Sequence, residues 1–242
     1  MTTADRWART VREQLGLGRF LPLGTPADGA WIAERAAREV LLTAVAGLPG
    51  VRLDRLRLAL ADPDAAPGPA VPAPPSALPP GPLRMTADLA ATAADPLPVT
   101  AERVRATLAQ AASLRLGLTV GEVDLRVTAL LDRDPEPERP AASPERQPEA
   151  GAGQDGDEDR AGRAVLAVAG VTRLTGVLGR PVHVSAPDAP EQGAVLPRRH
   201  VRVECAVGAE HRTVEVARRV RAAVADAVAD RPSVAVLVTA VD

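Results

Sequence analysis

The side chains best suited to nucleophilic or metal chemistry are few in this 242-residue chain: His183, His200, His211 and the one cysteine, Cys205. His200 and Glu204 fall in the alternating run RHVRVECAV, four residues apart on one strand face. A strand rises about 3.3 Å per residue, so the two side chains stand roughly 13 Å apart, too far to share one ion. Cys205 points to the opposite face among valines and is predicted to be a buried, inert thiol. A lone cysteine also excludes an internal disulfide and any multi-cysteine metal cluster. Ser185 follows His183 closely but lacks the strand-turn-helix setting that exposes a serine nucleophile. GVLG at 176–179 matches the G-x-x-G clamp of RNA-binding KH modules, yet that loop belongs between two helices, and RPVHV after it reads as strand. GLG at 16–18 lacks the longer glycine pattern that runs into a helix to cradle phosphates. Both are read as turn glycines. The chain is predicted to have no catalytic, cofactor-binding or metal-ligating residues, and no enzymatic activity.

Composition narrows the partners. The net charge is −2, without the basic excess of a protein that coats nucleic acid. Every basic residue is arginine and asparagine is absent, a bias of GC-rich coding rather than of phosphate binding. Aromatics make up 1% of residues and tyrosine is absent, so the 46% apolar content must pack as thin layers of Ala, Val and Leu. MTTADRWARTVREQ carries charges where a secretory signal needs an apolar core, and no apolar run reaches the ~18 residues of a membrane span. The expectation is a cytoplasmic protein, peripheral at most to the inner face of the membrane.

The elements that must position these residues are clearest in the second half. Val201, Val203, Cys205 and Val207 alternate with His200, Arg202 and Glu204, the period of a strand with one wet side. Thr213 is placed to cap a helix in which Val216, Val220, Val224 and Val228 recur every fourth residue, ending at Arg231-Pro232. SVAVLVTAVD then reads as a strand apolar on both faces, hence central or covered. Upstream, AGRAVLAVAGV predicts a short helix ending at Gly170, and TRLTGVLGRPVHVS leads to a strand with Val182 and Val184 inward.

The first half follows the same order. IAERAAREVLLTAVAG (32–47) predicts a helix, and VRLDRLRLALAD a strand with Leu56, Leu58 and Leu60 on one face. A proline-rich loop precedes LRMTADLAA, a strand with Leu83, Met85, Ala87 and Leu89 on one face. Thr100 is placed to cap a helix with Val104, Leu108 and Ala111 inward, and EVDLRVTALL closes with Val123, Leu125 and Val127 inward. AERVRATLAQAA (101–112) and ARRVRAAVADAV (217–228) agree at seven of twelve positions. Each half ends in a V-T-A strand followed by Asp132 or Asp242. The order of elements argues for an internal duplication more strongly than the identity does.

The expected fold class is α/β of the α+β kind: two tandem two-layer α/β sandwich units, each helix-strand-strand-helix-strand, joined by a disordered linker. The expected boundaries are an N-terminal helical and apolar segment at 1–27, a first unit at 28–132 with its proline-rich loop at 62–82, a linker at 133–160 and a second unit at 161–242. The linker holds almost nothing to bury. All three aromatics lie in the first 31 residues. Trp7, Val11 and Leu15 can share a helix face, and with Phe20 and Trp31 they form a candidate docking segment for a membrane-associated partner; the alternative is a lid packed over a sheet of the same chain.

The stretch VAGVTRLTGVLGR through VTAVD, residues 168–242, resembles the alkaline-shock-protein family of bacterial envelope-stress proteins. The likeness lies in a V-x-G-V turn, an alternating strand, a V-A-x-x-V-x-x-x-V helix and a closing V-x-V-x-V strand. It covers residues 164–242, and 30–132 look like a more divergent copy. A further resemblance, to actinomycete proteins labelled after a nucleopolyhedrovirus fibre protein, implies no function, because that fibre protein is a heptad coiled coil and no sustained heptad exists here. The alkaline-shock resemblance implies a non-enzymatic cytoplasmic scaffold of envelope homeostasis. It further implies self-association, as a homo-oligomer or with related proteins, and recruitment by a small membrane-anchored partner. It brings no catalytic residues. Two other readings remain open: a small-molecule sensor of the ACT type, with a polar cleft between the units, and RNA binding through Arg84, Arg126, Arg202 and His200 on the wet sheet faces.

Overall fold

The computed structural model describes residues 16–135, 156–185 and 199–242. Its class is α+β. In chain order the elements are β1 (Phe20–Leu23), β2 (Ala30–Ala33), α1 (Glu34–Ala46), β3 (Val51–Leu60), β4 (Leu83–Thr92), α2 (Leu97–Gln110), β5 (Val120–Leu131), α3 (Asp157–Leu166), β6 (Val171–Leu174), β7 (Val182–Ser185), β8 (His200–Val207), α4 (Thr213–Ala227) and β9 (Ser233–Val241). One sheet has the order β3-β4-β5; the other runs β1-β2-β9-β8-β6, with β7 also on β8.

The two halves repeat one another in pairing as well as in order. β3 is antiparallel and β5 parallel to β4; β6 and β7 are antiparallel and β9 parallel to β8. Two details go further. The register skips Thr128 between Val127 and Ala129, and it skips Thr239 between Val238 and Ala240, so both closing strands bulge at the threonine of V-T-A. Gly50 (φ 71°) and Gly170 (φ 97°) both enter the first strand in the left-handed region, where a side chain is strained. Their carbonyls accept from Thr92 N at 2.8 Å and Gly208 N at 3.0 Å, at the matching end of the middle strand. This equivalence aligns Asp88 with Glu204, Leu89 with Cys205 and Arg126 with Leu237.

The halves are not independent bodies. Their buried apolar residues form one contiguous core, and α1 packs against both β3 and β9. The expected boundary at residue 28 is therefore corrected. Ala30–Ala33, assigned to the first unit and partly to its helix, is a strand parallel to β9, and Phe20–Leu23 pairs antiparallel beside it. FLPL and AWIA are four residues long and buried throughout, so neither shows a period that separates strand from helix start.

Smaller corrections concern ends. The second half begins earlier than 161, because α3 starts at Asp157 and carries Asp157, Glu158 and Asp159 in its first turn, where acids suit a helix N-terminus. Neither predicted threonine cap forms. Pro98 in the first turn starts α2 at Leu97 and leaves Thr100 buried inside it. Arg212 precedes α4, whose first residue is Thr213, and the Thr213 hydroxyl is buried without a partner. After α2 the chain continues as a π-helical turn, Ala111–Leu116, that the apolar spacing does not signal. Residues 62–82 do connect β3 to β4 without a helix or long strand.

Candidate functional site

Edges of sheets are where these two halves differ. β9 is central: β8 pairs one side and β2 the other, and β1 extends the sheet beyond β2. The proline-rich loop then closes β1, with Phe20 N donating to Ser76 O at 3.2 Å and Leu78 N to Phe20 O at 2.8 Å. At the opposite edge, the Glu158 carboxylate accepts from Val184 N of β7 at 3.2 Å. Exposed N–H and C=O groups on a sheet edge invite pairing with another chain, and these contacts occupy part of each edge of this sheet.

The first-half sheet does not. β3 guards its edge with Arg52, Asp54, Arg55 and Arg57, a register irregularity at Asp54, and Arg19 donating to Leu58 O at 2.5 Å. β5 spans twelve residues, and among the described residues no strand pairs its outer side. Its inward residues are only partly covered: Val123 and Leu125 are half-buried, Val127 is 36% exposed and Leu130 63% exposed. On the wet face, Glu122 and Asp124 face Arg84, at 2.5 and 3.8 Å, while Arg126 is exposed and has no ion-pair partner among the described residues. The Val123 carbonyl accepts from Arg105 Nε at 3.3 Å, the main contact that α2 makes with strand backbone on this side. This edge is the candidate functional site. Alternation in EVDLRVTALL marks a strand, but its exposure follows from pairing order, which the sequence does not announce.

Cys205 and Glu204, by contrast, are shut in, whereas His183 is exposed and His211 partly so. Cys205 is fully buried, and desolvation pushes its thiol up to about 12, so it carries no thiolate at neutral pH. Glu204 is fully buried in the middle strand, aimed beneath the turn that interrupts β6 and β7. Its Oε2 accepts from Leu178 N at 3.0 Å, its main chain bonds Pro181 O and Thr175 N, and Oε1 has no hydrogen-bond partner. The nearest cation, Arg202, lies 3.5 Å away. Burial outweighs these contacts and raises the carboxyl to about 7. GVLG thus serves as the lid on an acid, a role its glycines alone do not reveal. His200 is half-buried against Ser233 Oγ at 2.9 Å, and burial holds its pKa below the ordinary value.

Two cavities lie between the halves. One, of about 480 Å³, is lined by Thr25, Ser113, Thr119, Arg212 and Arg218 among others; the second, of about 130 Å³, includes Arg115, His211 and Thr213. Arg218 is engaged by Asp28, at 2.9 and 3.0 Å, and by Glu215; Arg212 bonds Ser113 O at 3.3 Å and pairs with Glu215. The larger cleft therefore offers no uncommitted cation. Of the residues expected for RNA, Arg84 and Arg126 lie on one sheet, Arg202 and His200 on the other.

The candidate docking segment divides. Phe20 and Trp31 are 2% and 1% exposed, in β1 and β2, and Trp31 Nε1 donates to Leu78 O at 3.3 Å. They are corrected to structural residues that seal the second-half sheet, the lid alternative. Trp7, Val11 and Leu15 lie outside the described residues. No described helix is long and apolar enough to cross a membrane, and no group of three or more described His, Cys, Asp or Glu side chains stands ready for a metal. No family model, curated protein or solved structure matches this chain.

Proposed function

We propose that this chain is a non-enzymatic interaction protein, built from a repeated α/β unit, that serves the cell envelope through self-association and recruitment by a membrane-anchored partner. The observation that carries the reading is the outer side of β5, a long strand edge with exposed Val127 and Leu130, where the equivalent strand β9 of the other sheet is paired on both sides. Sheet edges bind partners by strand addition, with main-chain bonds for affinity and alternate side chains for specificity. The inert thiol and the covered carboxylate fit a protein that recognises rather than reacts. The envelope setting and the cytoplasmic location rest on the resemblance of residues 164–242.

The test compares variants in a strain lacking the gene, scored for survival of envelope stress. Val127→Lys with Leu130→Lys is expected to abolish complementation while the purified protein keeps its circular dichroism. Arg212→Gln, in the cleft, is expected to complement. The reverse pattern rejects the reading. A small-molecule sensor is the second reading, favoured by the cleft of about 480 Å³ between the halves. A thermal-shift screen with amino acids and nucleotides promotes it if melting rises with one of them and removes it if none acts.

A further inference from the structure

The outer side of β5 has a sequence property that its mere exposure does not require. Val120–Leu131 is complementary to itself when laid antiparallel against a second copy. Residues that face each other across an antiparallel pair lie on the same side of the sheet, so the two residue numbers must sum to an even value. With the two-fold axis at Leu125, the sum is 250. Asp124 then faces Arg126 of the second copy, Arg126 faces its Asp124, Val123 faces its Val127 and Leu125 faces Leu125. Shifting the axis to Asp124 keeps two opposite-charge pairs, Glu122 with Arg126, but adds two aspartates opposed at the axis; shifting it to Arg126 opposes two arginines and leaves no opposite-charge pair. Like charges directly opposed weaken a sheet, so both neighbouring registers are disfavoured. Register irregularities at Gly121 and Thr128 flank an unbroken run, Glu122–Val127, which holds the three innermost pairings about Leu125: Leu125 with itself, Asp124 with Arg126 and Val123 with Val127.

We infer that the occupant of this edge is a second copy of the chain, joined β5 to β5 with Leu125 on the two-fold axis, giving one continuous six-stranded sheet. The inference rests on the proposed role of β5 as an interaction edge and names its partner. Charge complementarity is the argument: Arg126 lacks an ion-pair partner among the described residues, and Asp124 is 3.8 Å from its own Arg84. Equal-parity pairing also keeps Val123, Leu125 and Val127 of both copies on the helix-bearing side, where the second strand covers apolar surface that α2 leaves exposed. The amide arriving at Val123 O replaces a 3.3 Å bond from Arg105 with a ladder bond.

Sedimentation of the full chain over a concentration series tests the dimer, and cysteine pairing tests its register. An interface of this size implies a weak dimer, with a dissociation constant on the order of 10–100 µM. Asp124→Arg or Arg126→Asp alone is expected to weaken it roughly tenfold, since each repeats a like-charge clash on both sides of the axis, and the double swap restores it. Asp124→Cys and Arg126→Cys chains, oxidised separately, are expected to give no covalent dimer, whereas an equal mixture gives one. A wild-type chain that stays monomeric throughout overturns the inference, as does crosslinking of Asp124→Cys or Arg126→Cys with itself. The two proposals fail separately. A monomer whose β5 variants still lose envelope function leaves the edge to a different protein, whereas a dimer whose β5 variants keep that function removes the interaction role.

Discussion

β5 and β9 close their halves with the same V-T-A sequence, the same bulge and the same parallel pairing to a middle strand, yet no residue of one is fully buried and the other is buried from Val234 to Thr239. The difference comes from residues far away in sequence. A hairpin of eight strand residues near the N-terminus supplies β9 with a neighbour and supplies β5 with none. One strand pattern thus meets two environments, and the side chains follow. VAVLV in β9 is apolar on both faces, whereas GEVDLRV in β5 keeps charges on one. Burial is set by who stands beside the strand, not by the strand's own fold.

The sharpest way to break this comparison is to make one change at both equivalent positions. Val238 is fully buried, and Val127, its counterpart before the bulged threonine, is 36% exposed. Val238→Lys forces a charge into an apolar core and is expected to cost more than about 4 kcal/mol, enough to unfold much of the population. At Val127→Lys the ammonium reaches water, and the cost is expected to stay within about 1 kcal/mol. Urea unfolding of the two variants reads the gap. Equal losses would mean that β5 is as buried as β9 in solution.

A second pair of equivalent positions contrasts two acids. Asp88 sits half-exposed with arginines at the facing positions of both neighbouring strands, Arg55 and Arg126; Glu204 is sealed beneath the 176–179 turn. With its carboxyl raised from 4.5 to about 7, Glu204 favours the protonated form when folded. Its charged form therefore costs nothing below about pH 4.5, costs progressively more as pH rises to 7, and levels off above at roughly 3 kcal/mol. Glu204→Gln keeps an acceptor for Leu178 N and has no charge to bury. It is expected to match the wild type at pH 4.5 and to exceed it by up to about 3 kcal/mol at pH 8. Asp88→Asn is expected to stay within about 0.5 kcal/mol at neutral pH. A Glu204→Gln difference that does not grow with pH would show that the lid admits water.

What could be read from the sequence follows the same division. Alternation located β3, β4, β8 and β9, because a strand with a wet side, or one apolar throughout between a turn and the chain end, leaves a pattern several residues long. Four-residue β1 and β2 leave none, and Trp31 beside Ile32 looked equally like a helix start. The burial of Cys205 was legible from its valine neighbours. The burial of Glu204 was not, since its alternation places it on the wet face and only the GVLG turn covers it. The open edge of β5 depends on strand order across the molecule, which local spacing does not encode. Neither threonine caps its helix, because α2 starts at Leu97, three residues before Thr100, and Thr213 is already the first residue of α4.

A third and smaller contrast concerns the hairpin that makes the halves unequal. Asp28, in the turn between β1 and β2, receives Arg218 of α4 through two bonds at 2.9 and 3.0 Å and Thr25 N at 2.6 Å. The guanidinium chiefly, with the Thr25 bonds, holds its carboxyl down at about 2 against an ordinary 3.8. A carboxylate lowered on folding stabilises above its unfolded value and loses that contribution as pH falls toward its folded one. Full conversion of the shift overstates the gain for a partly solvated pair, so about 1 kcal/mol is expected once screening is counted. Asp28→Ala should therefore lower stability by about that much at pH 7, with the gap to wild type narrowing between pH 4 and 2. If the gap holds constant through that range, the hairpin is fixed to β9 by its apolar residues and strand pairing alone, and the ion pair to α4 contributes nothing to what separates β9 from β5.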